Sequence, residues 1–425
     1  TTQGTFTPFS PTGWGNYFNG SSQYLTTPSG TVDFSTNQFC IETWVYFNSL
    51  TATTSLFGTR SGDATTTIRW GLLVDASASY KIYFSAYSSS NTFICAIPSD
   101  AGLSIGRWYH IAVSRDSSNV IRLFVDGVAQ TSAVTSGAAI ANSVTAVNIG
   151  MMPGSFGGTG GPLNGYLSNI RIVNGQALYT GNFTPPTAAL TTTSVGTSGT
   201  NVASSITGTV ALLTCQSNRF LDQTGKTITT SGSPSVQAFS PFAPANAVSP
   251  LVTGGSGYFN GTSSYIQTQT STILGMGSGD FTVEGWYYVT STTDYRYLFD
   301  LRIDGANTNM FGAYLNTGTM NLFVFVGASG DVAAGSLTLN SWNHVAVVRS
   351  GSTVTTYVNG VASGTPINSS QNLSDATYLT LGRRYTVAQY YTGYIACFRM
   401  VKGTALYTSN FTPPTTPPTA IPNTS

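Results

Sequence analysis

"FCIETWVYF" (Phe39–Phe47) sets Phe39, Ile41, Thr43 and Val45 on one side of an extended chain and Cys40, Glu42, Trp44 and Tyr46 on the other. Side chains of a strand alternate between faces, and this run is rich in aromatic and β-branched residues. It therefore reads as a strand with both faces apolar enough to be covered. The same pattern returns as "FTVEGWYYV" (Phe281–Val289), so whatever sheet the first stretch belongs to is built twice.

On either side of these two strands the rest of the chain matches itself in order. "YFNGSSQYL" from Tyr17 matches "YFNGTSSYI" from Tyr258, "RWYHIAVSR" from Arg107 matches "SWNHVAVVR" from Ser341, and "VDGVA" from Val125 matches "VNGVA" from Val358. "GYLSNIRIVNG" from Gly165 matches "GYIACFRMVKG" from Gly393, and "NGQALYTGNFTPPT" from Asn174 matches "KGTALYTSNFTPPT" from Lys402. Spacing changes only between blocks, as expected of a duplicated domain whose insertions fall in loops. The Asn-Gly and Asp-Gly pairs between strand-like runs predict two-residue hairpins, because type I′ turns need positive φ at both central positions. With no helix-period stretch longer than two turns, the expected fold is all-β, two tandem antiparallel sandwiches. The expected divisions are residues 1–190 for the first domain, 191–240 for a junction packed on a domain, and 241–425 for the second. The paired prolines Pro185-Pro186 and Pro413-Pro414 cannot donate in a ladder, so the repeated phrase is read as sealing each domain's edge.

Composition narrows the function. Of 425 residues 41% are hydrophobic and only 7% charged, so Thr, Ser, Asn and Gly must make the solvated face. A net charge of +1 without Lys/Arg clusters gives no basis for binding nucleic acid, and no apolar run is long enough to insert in a membrane as a helix. Cys40, Cys95, Cys215 and Cys397 lack metal-site spacing and have no Cys at the matching repeat position, which predicts free buried thiols. "TQGTFTPFSP" from Thr2 and "SVQAFSPFAP" from Ser235 are matching lead-ins to the two repeats, and the chain is expected to be a slice of a longer polypeptide.

The order "F-x-x-E-x-W", "W-x-H-[IV]-A", "V-[DN]-G" and "G-Y-[LI]-x-x-x-R" resembles the laminin-G-like, concanavalin A-like jelly roll. More narrowly, "ALYT-x-NFTPPT" and "LLTCQSNRFLDQTG" (Leu212–Gly225) are similar to the tandem repeats of virion-associated proteins of marine bacteriophages. That resemblance implies a lectin-like fold, a place on the virion surface, and other virion proteins or copies of this chain as partners.

The chain's only two Glu, Glu42 and Glu284, and its only two His, His110 and His344, occupy matching places. A glycosidase needs two carboxyls flanking the bond, and each strand here offers one. The four residues are therefore expected to be satisfied polar groups of the structure. Recurrent Arg115, Arg349, Arg171 and Arg399 are expected to pair with carboxylates or cap carbonyls. Calcium needs about six oxygen ligands, and Asp294, Asp300 and Asp304 are the nearest approach to such a cluster, a weak one without a counterpart in the first repeat. Recognition is expected where the repeats differ. "RRYTVAQYYTG" brings Arg383, Arg384, Tyr385, Tyr390 and Tyr391 together, with Tyr295 and Tyr297 nearby in "TTDYRY"; Tyr rings stack on sugar faces and Arg reaches hydroxyls. This surface suits a cell-surface glycan or a subunit interface, for which the same residue types are enriched. The leading function class is thus a non-enzymatic phage virion surface protein, a tail appendage, fibre or head decoration. The alternative is a secreted or cell-surface bacterial carbohydrate-binding adhesin, followed by an enzyme acting on polysaccharide.

Overall fold

The computed structural model describes residues 2–4, 13–60, 68–88, 92–140, 146–152, 161–238, 255–268, 271–302, 310–374, 378–385 and 387–419. Its regular elements are antiparallel strands and three-residue 3-10 turns. Two compact units result, Thr12–Ala245 and Asn246–Ser425 together with Thr1–Pro11. Each is a jelly-roll sandwich of two sheets.

In the first unit the larger sheet runs Val128–Thr135, Val120–Val125, Trp108–Arg115, Phe39–Phe47, Asn164–Asn174, Gly15–Asn19, Ser235–Gln237. The facing sheet runs Thr229–Ser231, Tyr24–Thr26, Asn148–Ile149, Thr54–Arg60, Ile68–Asp75, Lys81–Tyr87, Phe93–Pro98. Phe39, Ile41, Val45 and Phe47 point between the sheets and pack in one core with Leu72, Val74, Ile82 and Phe84. Each such burial removes enough apolar area to be worth about 1.5–3 kcal/mol, which is what holds the two layers face to face. The second unit repeats the plan, with Phe281, Val283, Tyr287 and Val289 packed against Leu301, Phe311, Leu315 and Val324.

Segment 191–240 is woven into the first unit. Thr209–Thr214 pairs with Asn164–Asn174, Thr229–Ser231 with Tyr24–Thr26, and Ser235–Gln237 with Gly15–Asn19. Thr2–Gly4, the matching lead-in, pairs with Ser256–Asn260 in the same register: Ser235 lies opposite Tyr17 as Thr2 lies opposite Tyr258.

One hairpin expectation holds and one is corrected. Val125 and Val128 close a two-residue turn with positive φ at Asp126 (50°) and Gly127 (77°), and Val358 and Val361 do the same around Asn359 (53°) and Gly360 (81°). The Asn-Gly of "YFNG" makes no hairpin. Gly20 (77°) and Gly261 (77°) alone have positive φ there, and the strands on either side belong to opposite sheets. Asn19 instead accepts the Ser21 N–H (3.1 Å) and Asn260 the Thr262 N–H (3.0 Å), so the pair forms an Asx-type crossover between layers.

Candidate functional site

The matched Glu and His meet in a buried knot on the outer face of each larger sheet. Between Ser168 and Arg171 the strand carries a β-bulge, with Asn169 at φ 55°, and this aims Arg171 directly opposite Glu42. Glu42 Oε1 accepts from Arg171 Nε (2.9 Å) and Nη2 (2.7 Å), while Oε2 accepts from the Tyr179 hydroxyl (2.9 Å) and from His110 Nε2 (3.2 Å). Because a carboxylate only accepts, the His110 proton facing it sits on Nε2. The second repeat copies the knot: Glu284 Oε1 accepts from Arg399 Nε (2.7 Å) and Nη2, and Oε2 from Tyr407 (2.9 Å) and His344 (3.1 Å). The corresponding bulge places Cys397 at φ 52°. Burial pushes the Glu42 carboxyl up, but Arg171 and His110 together outweigh it and leave the group below its ordinary value. Glu284 is lowered in the same way by His344 and Arg399 against the same burial.

The repeated "ALYT-x-NF" phrase supplies the lid of this knot. Tyr179 stacks flat on Phe183 at 3.7 Å and Tyr407 on Phe411 at 3.6 Å, and Phe183 and Phe411 donate their N–H to Gly127 and Gly360 of the adjacent hairpin. Both Glu lie sealed from solvent with every oxygen engaged, so neither presents a carboxyl to a substrate. Arg115 and Arg349 cap carbonyls: Arg115 those of Asn37, Ala138 and Ser35, Arg349 those of Gly279, Gln371 and Gly277.

The Arg/Tyr loop divides into a surface part and a core part. Arg383 and Tyr390 bridge across a small hairpin, and the Arg383 guanidinium lies over the Tyr265 ring at 4.6 Å and the Tyr390 ring at 5.4 Å. Tyr265 is 38% exposed and Ile266 beside it 46%, which makes this an open aromatic and cationic edge. Arg384 reaches over Tyr297 at 6.0 Å, and the Tyr385 ring packs on Tyr378 at 5.2 Å. Tyr391 departs from the expected surface: it is fully buried, edge-on to Phe259 and Tyr287, because residues at consecutive positions of the returning strand face opposite ways. Tyr297 is likewise buried, stacked on Tyr314 at 5.1 Å, and burial pushes its hydroxyl up to about 12. Tyr295 is half-buried against Tyr314. Tyr265, which the sequence reading passed over, enters because Ile266–Gln267 pairs with Tyr378–Leu381, the strand leading into the loop. Its sequence signal is a Tyr at the end of the "YFNGTSSYI" block.

Two of the three calcium candidates lie among the described residues, each with its own partners. Asp294 is exposed in a turn, where its carboxylate accepts the Tyr295 N–H at 2.7 Å. Asp300 is buried, with one oxygen held by Arg302 and the other by the Tyr385 N–H; burial raises its carboxyl above the ordinary value. Asp304 lies outside the described residues, and among those described no three His, Cys, Asp or Glu gather. All four cysteines are free, three of them buried, and burial pushes the thiols of Cys40 and Cys95 up to about 12.

The family model of the concanavalin A-like lectin/glucanases superfamily matches residues 19–179 and 260–406. No curated protein matches the chain. Among solved structures, domains LG4-5 of mouse laminin α1 are 11% identical, covering 93% of this chain and 90% of that one, with a TM-score of 0.32. A putative carbohydrate binding protein from Bacteroides ovatus is 17% identical (54% and 60% covered, TM-score 0.35), and the SAP-like pentraxin of Limulus polyphemus 13% (52% and 96%, TM-score 0.33).

Proposed function

The chain belongs to the concanavalin A-like lectin/glucanases superfamily, matched across both repeats, and on that premise we propose that it is a non-enzymatic glycan-binding protein whose contact surface is the Tyr265–Arg383–Tyr390 edge of the second repeat. The observation that carries this reading is the guanidinium of Arg383 held over two tyrosine rings at an exposed edge. Such a platform offers flat apolar faces to sugar C–H groups and charged donors to sugar hydroxyls. A hydrolytic role has less support, since each repeat's single Glu is sealed in its knot with all lone-pair directions occupied by donors.

The proposal extends to place and partners. The "ALYT-x-NFTPPT" and "LLTCQSNRFLDQTG" phrases favour a component of the bacteriophage particle surface, assembled with other virion proteins or with copies of itself and displaying the edge toward a host-cell glycan.

A glycan array probed with the full chain, alongside Arg383→Ala and Tyr265→Ala, tests the binding reading. Saturable binding that weakens by about tenfold or more in each variant, with unchanged melting, is the expected result. No bound glycan, or equal binding by wild type and both variants, overturns it. Mass spectrometry of purified phage particles tests the location, and absence of the chain from them removes the virion role.

A further inference from the structure

The same phrase is buried to different depths in the two repeats. Ala177, Leu178 and Tyr179 are buried, whereas their counterparts Ala405, Leu406 and Tyr407 are half-exposed. The difference has a covering segment as its cause. In the first unit Val195, Val202, Ala203 and Ile206 pack over Phe124, Leu178 and Tyr179. That segment also pairs as a strand: Tyr179 and Val202 form an antiparallel bridge, Thr180 donates its N–H to Asn201 (2.9 Å), and Ala203 donates to the Leu178 carbonyl (2.9 Å). Its preceding carbonyls, those of Thr191, Ser194 and Val195, take the remaining Arg171 donors at 2.6–2.9 Å.

In the second unit the Thr419 carbonyl takes one Arg399 donor, as Thr191 does for Arg171, but among the described residues no segment covers the corresponding seat. The Thr408 N–H and the Leu406 carbonyl have no partner among the described residues. A cavity of about 280 Å³ lies beside them, lined by Ser350, Thr353, Thr355, Tyr357, Tyr407 and Thr408. Where the first repeat carries the Asp116–Arg122 ion pair, the second has Ser350 and Thr355 at the matching positions, so the lining of the seat is uncharged. Arg399 is correspondingly 20% exposed where Arg171 is sealed.

We infer that this seat on the second repeat is an acceptor for an extended, uncharged polypeptide segment rich in Ser, Thr, Val and Ala, of the kind that Val195–Ile206 provides to the first repeat. The occupant adds as a short strand: its backbone meets the Thr408 N–H and the Leu406 carbonyl, and its small apolar side chains cover Tyr357 and Tyr407. The absence of charge on the lining matches the absence of any charged residue from Leu190 to Gly208. A segment of this composition has backbone pairing as its main source of affinity, and the seat supplies both a donor and an acceptor at strand spacing.

A synthetic peptide of Leu190–Gly208, titrated into the full chain with residue-resolved amide exchange, tests the assignment. Saturable binding is expected, with exchange at Thr408 slowed by about tenfold or more while Thr180 is already protected without peptide. Thr408→Pro removes the donor and Thr355→Trp fills the cavity; each should weaken the peptide by about tenfold while leaving melting and any glycan binding at Arg383 unchanged. Absence of saturable binding, binding without protection of Thr408, or undiminished binding by both variants overturns the inference. If Thr355→Trp abolishes a glycan signal that Arg383→Ala spares, the cavity is a sugar site, which also overturns it.

Discussion

Replacing Glu42 by Gln tests the buried knot most directly. The substitution keeps shape and one acceptor oxygen but removes the charge that balances Arg171, a guanidinium with no exposure. Backbone carbonyls of Thr191, Ser194 and Val195 still receive three of its bonds, yet they carry no net charge. Breaking a buried ion pair from one side costs about 3–5 kcal/mol. In the second repeat Glu284→Gln leaves Arg399 beside water, with its side chain 20% exposed, so hydration recovers part of the loss and the cost falls to about 1–3 kcal/mol. At roughly 2–4 °C per kcal/mol for units of this size, Glu42→Gln should lower its unit's melting by about 6–20 °C, and Glu284→Gln by clearly less. Differential scanning calorimetry of the two variants beside wild type measures both, and adding Arg171→Met to Glu42→Gln should recover part of the deficit, since Met removes the orphaned charge. Equal losses in the two repeats, or a loss under about 1 kcal/mol for Glu42→Gln, would refute the view that sealing of the arginine sets the energy.

Acid should act through the same carboxyls. Both Glu pKa values are depressed on folding, so their stabilisation is complete above the unfolded value of 4.5 and is lost as pH falls below it; melting should drop there, and less so in Glu42→Gln. Gly127→Ala and Gly360→Ala each place a Cβ against the carbonyl of Phe183 or Phe411 at positive φ, and should cost about 2–3 kcal/mol in urea titrations. Cys397→Asn should raise the second unit's stability by roughly 1 kcal/mol in the same assay, because Asn tolerates the left-handed bulge position that Asn169 occupies in the first repeat. In native protein, thiol titration should find Cys397, half-buried and with its thiol pushed up to about 11 by burial, reacting ahead of Cys40, Cys95 and Cys215; a faster buried thiol would contradict the packing.

Much of the architecture was legible because it is locally encoded. Period-two alternation in Phe39–Phe47 and Phe281–Val289 names the inward face, and Asp126-Gly127 and Asn359-Gly360 carry the positive φ values that close a hairpin whatever surrounds them. That each repeat's Glu and His are satisfied polar groups was also legible, since they recur in matching places of so charge-poor a chain; which partners satisfy them was not. By contrast Asn19-Gly20 has the residues of a hairpin and makes a crossover, because its flanking strands find partners in different sheets. Local propensity cannot choose between partners far apart in sequence.

Residue order alone points to a duplicated all-β domain with a charge-poor surface and one Glu and one His at matching places in each repeat. Folding sets which tyrosines face water, brings Tyr265 to Arg383 from over a hundred residues away, and buries in the first repeat a phrase that is half-exposed in the second. Exposure belongs to the neighbours a residue acquires on folding: identical Ala-Leu-Tyr-Thr stretches carry the same hydrogen-bonding groups, and what covers them comes from elsewhere in the chain.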